Sequence, residues 1–78
     1  MRKFHLPSTL YQLVSILKTA QSKANSVYFS TASGVVYVLQ IGENDKIYYA
    51  YVGTNENVEI SWDRFKELKT EIWEDAKE

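Results

Sequence analysis

Two neighbouring segments, 35–41 and 47–52, carry apolar residues on both of their alternating sides. Successive side chains of a strand point to opposite faces of a sheet. In the first segment Val35, Tyr37, Leu39 and Ile41 share one side, and Val36, Val38 and Gln40 the other. In the second, Ile47, Tyr49 and Tyr51 oppose Tyr48, Ala50 and Val52. A sheet with one wet face alternates apolar and polar residues more cleanly. Either a helix covers each face, or both helices lie on one face and a tyrosine-rich face is left over. The second arrangement is expected by analogy with other chains that flank short hairpins with two helices. The leftover set is then Tyr28, Tyr49 and Tyr51, or alternatively one containing Tyr37 and Tyr48. An apolar patch tipped with hydroxyls is a contact surface in form.

The flanking segments read as helices. From Ser8 to Ala24, the residues Leu10, Leu13, Val14, Leu17, Ala20 and Ala24 recur at helical spacing, with Pro7 and Ser8 as the start signal. The other side holds Gln12, Ser15, Thr19 and Ser22, all uncharged. A second helix is expected from Ser61 to about Ala76, with Trp62, Phe65, Leu68, Ile72 and Trp73 on its apolar side. In that register Glu67, Glu71, Glu74 and Glu78 form an acidic stripe, whose mutual repulsion disfavours the helix by a few tenths of a kcal/mol per pair. Between the helices lie strands at 27–32, 35–41 and 47–52 and a short extended piece at 58–60. The expected fold is α+β: a two-layer α/β sandwich in the order α-β-β-β-(short β)-α, with an antiparallel sheet. The 78 residues make a single domain, with residues 1–6 as a mobile N-terminal arm. The expected core is Leu10, Leu13, Val14, Leu17, Leu39, Val52, Phe65, Leu68 and Ile72, with Trp62 and Trp73 at its edges.

Charge is split along the chain. Residues 1–42 contain Arg2, Lys3, Lys18 and Lys23 and no acid, whereas residues 43–78 contain all ten carboxylates. The two halves make an electrical dipole along the sequence. There is no cysteine, so neither disulfides nor thiolate metal sites are available. No apolar run approaches the roughly 18 residues of a membrane span, and 1–18 lacks a signal-peptide core. A cytoplasmic protein without membrane contact is expected.

Catalytic chemistry finds few residues to work with. The single histidine, His5, is near a terminus, and Gly34, Gly42 and Gly53 are isolated turn glycines rather than a phosphate loop. No enzyme, cofactor or metal site is expected, since one exposed row of carboxylates does not converge on a cation. Two functional expectations remain. The first is a non-catalytic protein-interaction module, binding another protein or a second copy of itself, using Glu67, Glu71, Glu74 and Glu78, and Tyr49 and Tyr51. The second is nucleic-acid binding through Arg2, Lys3, Lys18 and Lys23, with sheet tyrosines stacking on bases.

The order helix, three antiparallel strands, helix over residues 8–76 is similar to that of the double-stranded-RNA-binding domain. That family grips phosphates with lysines at the start of its second helix, where this chain reads Ser61-Trp62-Asp63-Arg64-Phe65-Lys66. It also has a histidine-containing loop between its first two strands, where this chain has only Ser33-Gly34. The resemblance implies a fold order but not the phosphate contacts that supply most of such affinity.

Overall fold

The computed structural model describes residues 1–75. The elements are β1 (Arg2–Phe4), α1 (Leu10–Ser22), β2 (Ser26–Thr31), β3 (Val36–Ile41), β4 (Ile47–Tyr51), β5 (Val58–Ile60), α2 (Trp62–Leu68) and β6 (Lys69–Asp75). The six strands form one sheet in the order β1-β6-β2-β3-β4-β5, and every neighbouring pair is antiparallel. Both helices contribute to the core on one side of it, giving an α+β sandwich of two layers.

Helix α1 is capped one residue later than expected. Thr9, in an extended conformation, is the cap: its Oγ1 accepts from the Gln12 amide at 3.1 Å. Gln12 Oε1 reaches back to accept from the Ser8 amide at 2.8 Å, so two otherwise orphaned N–H groups are satisfied reciprocally. At the other end the Asn25 amide donates to the Ala20 carbonyl and the Ala24 amide to that of Gln21. This pair of bonds closes the helix and turns the chain into β2, with Ala24 in the left-handed region at φ 57°.

The largest departure from expectation is at the C-terminal end. Helix α2, capped by Ser61, has only seven residues. At Lys69 the backbone becomes extended (φ −78°, ψ 141°) and the chain continues as β6, inserted between β1 and β2. Thr70, Ile72 and Trp73 favour a pleated surface. Helix periodicity placed Phe65, Leu68 and Ile72 on one side, but Ile72 reaches the same core from a strand. Insertion of β6 also recruits the N-terminus: residues 2–4, expected within a mobile arm, pair with 72–74 as edge strand β1. Thus β1 and β2 run parallel with β6 between them, and α1 makes the crossover.

The core joins Leu13, Leu17 and Ala20 of α1 and Phe65 of α2 to Val27, Phe29, Leu39, Ile47, Ile60 and Ile72 of the sheet. Phe29 is fully buried, 5.3 Å from Tyr37, 5.1 Å from Phe65 and 6.2 Å from Tyr49 between ring centroids. Two expected core residues are not core: Val52 is 56% exposed just past β4, and Leu10 is 36% exposed on the first turn of α1. Leu10 lies on the first turn of α1, and Val52 leaves the end of β4 on the side of Tyr48 and Ala50, away from the helices.

Candidate interaction face

Strand parity and the inter-strand registers decide which residues share a side. Val27, Phe29, Leu39, Ile47, Ile60 and Ile72 face the helices. Their chain neighbours therefore face away. Across five strands these form one row: Lys3, Trp73, Tyr28, Val38 and Ala50, each directly opposite the next. Tyr28 and Trp73 stack with centroids 5.8 Å apart and planes 21° apart. Below the row, Glu71, Ser30 and Val36 are aligned. Above it Asp75 pairs with Ser26, Gln40 with Tyr48, and Tyr48 with Glu59. Neither helix lies on this side.

The face therefore has an apolar centre. Tyr28, Trp73, Val38 and Tyr48 are partly buried by their mutual contacts. Ala50, only 5% exposed, is the low point among larger neighbours. Gly42 accommodates the Tyr48 ring, since a Cβ there would lie 2.5 Å from Tyr48 Cε2. The rim is charged with both signs. Lys3 Nζ meets Glu71 at 3.3 Å, and Lys46 Nζ meets Glu59 at 3.9 Å. All four side chains are about half exposed, so these pairs set local charge rather than stability.

The uncovered tyrosines differ from the expected set. Tyr28 and Tyr48 are on the open side, with Trp73. Tyr49 faces the helices and packs on the core. Tyr51 and Tyr37 share that side, 5.0 Å apart, with Tyr51 58% exposed at its margin. The neighbouring Tyr51 phenol, and then partial burial, raise the Tyr37 phenol above its ordinary pKa. Trp73, placed by helical spacing at a core edge, is the residue that sequence reasoning missed. Its signal was adjacency to Ile72: two large apolar neighbours cannot share a strand face.

The acidic stripe does not form. Glu67 is on α2, bonded to Arg64 at 3.0 Å. Glu71 and Glu74 are three apart on β6 and so point to opposite sides of the sheet. Glu74 is 7% exposed on the helix side, where Asn25 Nδ2 donates to its Oε2 at 2.6 Å. Glu78 lies outside the described residues.

The basic half is dispersed too. Arg2 and Lys3 are consecutive on β1 and point to opposite sides, and Arg2 lies over the Phe4 ring at 5.3 Å. Lys18 is held by Asp45 at 3.0 Å, and Lys23 is the C-cap of α1. Folding thus interleaves the two halves of the chain. Two cations from the first half find acids of the second, Lys3 with Glu71 and Lys18 with Asp45. The second helix also begins without a lysine cluster; Lys69, at its end, lies over Trp62 and Phe65 and donates to the Pro7 carbonyl at 3.3 Å. Burial, with a smaller contribution from Lys66, lowers its pKa.

Among the described residues no three His, Asp or Glu side chains gather as a metal-binding group, and no helix is long and apolar enough to cross a membrane. No family model matches the chain, and comparison with curated proteins and with solved structures gives no significant match.

Proposed function

We propose that the protein is a non-catalytic protein-interaction module that binds through the open face of its sheet. The observation that carries this reading is the uncovered row Trp73–Tyr28–Val38–Ala50, with Val36 and Tyr48 beside it. Aromatic residues at a partly buried centre, ringed by charges of both signs, have the anatomy of a protein interface. The face carries Lys3 and Lys46 against Glu59, Glu71 and Asp75, so its net charge is negative. A polyanion gains little from such a rim, which favours a protein partner over nucleic acid.

Site-specific photo-crosslinking in cells tests this. A benzophenone side chain at Tyr28 is expected to capture a discrete protein adduct, whereas one at Gln12, on the outer side of α1, is not. Equal labelling from both positions, or no adduct from position 28, contradicts the reading.

A further inference from the structure

We infer that the occupant of the open face is a second copy of this chain, in a two-fold sheet-on-sheet dimer; this rests on the open face being an interaction surface.

Steric relief along the central row supports self-association. Its two large aromatic residues, Trp73 and Tyr28, are on β6 and β2, and its two small residues, Val38 and Ala50, are on β3 and β4. The midpoint lies between β2 and β3. A two-fold axis through that midpoint, in the interface and roughly along the strands, reverses strand order in the second copy. Trp73 then stands over the second copy's Ala50, and Tyr28 over its Val38. The same contacts recur on the other side of the axis, as an isologous interface requires. Large side chains meet small ones four times along the row, each Trp73 over the second copy's Ala50 and each Tyr28 over the second copy's Val38.

Polar positions agree with that axis. It brings Tyr48, on β4, to the second copy's Asp75, on β6: a phenol donor beside a carboxylate acceptor. The alternative axis, across the strands, keeps strand order. It sets Lys3 on Lys3 and Trp73 on Trp73, and leaves Ala50 facing Ala50 across a void. Like charges and mismatched relief disfavour it.

Charge and area also suit a second copy. Lys3–Glu71 and Lys46–Glu59 are paired within each face, so two identical faces approach without strong repulsion. β1 and β5 show one outward residue each, β4 two, and β2, β3 and β6 three each; with strands about 4.8 Å apart and outward residues about 6.8 Å apart along them, the face covers roughly 400 Å². Covering it on both copies removes about 800 Å² of surface, the size of a weak, reversible contact and in keeping with a dimer that dissociates in the high-micromolar range. Packed sheets in sandwiches adopt this aligned arrangement about 10 Å apart.

Sedimentation equilibrium of the full chain from about 10 μM to about 1 mM tests the dimer. The wild type is expected to fit a monomer–dimer equilibrium. Trp73→Ala and Ala50→Trp should each raise the dissociation constant at least ~30-fold. Combined, they exchange large and small across the axis and should return it to within ~5-fold of wild type. Val38→Lys, whose stem can lie along the sheet while its charge meets the second copy, should raise it ~100-fold or more with the monomer still folded by circular dichroism. A monomeric wild type at the highest concentration overturns the dimer, and the crosslinking at position 28 then stands as the separate test of the face. A dimer unaffected by Val38→Lys overturns both. Failure of the double variant, with folding intact, overturns the two-fold arrangement.

Discussion

Tyr28 and Trp73 come from distant parts of the chain, yet their rings stack 5.8 Å apart on neighbouring strands of the open face. The contact exists because β6 inserts between β1 and β2. A double-mutant cycle with Tyr28→Ala and Trp73→Ala should give a coupling of about 0.5–1.5 kcal/mol in urea unfolding. Zero coupling would mean that these strands are not paired as described.

Phe29 is the next residue, on the other side of the sheet, fully buried against Phe65 and Tyr37. Phe29→Ala should cost about 3–5 kcal/mol in the same unfolding measurement, enough to unfold much of so small a domain. Tyr28→Ala alone should cost far less. A reversed order would exchange the two faces.

Ala24 sits at φ 57°, where a Cβ is strained, at the position that closes α1. Ala24→Gly should therefore stabilise the protein by about 1 kcal/mol, read as a higher melting temperature. At the other end of that helix, Thr9→Ala should cost about 1 kcal/mol, because its Oγ1 accepts from the Gln12 amide. Ser8→Ala should cost less, since the Gln12 side chain still accepts from the Ser8 backbone amide.

The raised pKa of Tyr37 gives a signed pH dependence. Its ordinary value is 10.0, and the neighbouring Tyr51 phenol is the first cause of the increase. The unfolded chain ionises first, so this contribution is complete below pH 10.0 and is lost as pH rises through the folded pKa. Comparing thermal melts of wild type and Tyr37→Phe between neutral pH and this alkaline range should show a steeper alkaline fall in the wild type. Tyr51→Phe should flatten it. Parallel curves for all three would remove the linkage.

Much of the fold was legible because local signals agreed. Strands β3, β4 and β5, the hairpin between β3 and β4, and the buried side of α1 follow from alternation, turn residues and helical spacing. The C-terminal segment was not, because Phe65, Leu68 and Ile72 satisfy both a continuing helix and a helix followed by a strand. One physical warning was present. A helix through Asp75 stacks Glu67, Glu71 and Glu74 along one side, with Arg64 offsetting Glu67 but no cation beside Glu71. The strand relieves this, sending Glu71 to Lys3 and Glu74 to Asn25. Those partners are far away in sequence, so no local pattern names them. The same long-range pairing fixes which tyrosines are uncovered. Parity within one strand is readable, but whether Tyr28 aligns with Ala50 or with Tyr49 depends on inter-strand register.

The central claim is that the open sheet face is the contact surface, and backbone amide shifts on dilution report on it directly. Spectra of the isotopically labelled chain should be compared between about 1 mM and about 10 μM, the span over which a micromolar contact dissociates. Changes concentrated at Tyr28, Val38, Ala50, Trp73 and their row neighbours, with α1 unchanged, are the predicted result. Changes confined to α1 and α2, or spectra identical at both concentrations, would contradict self-association through this face.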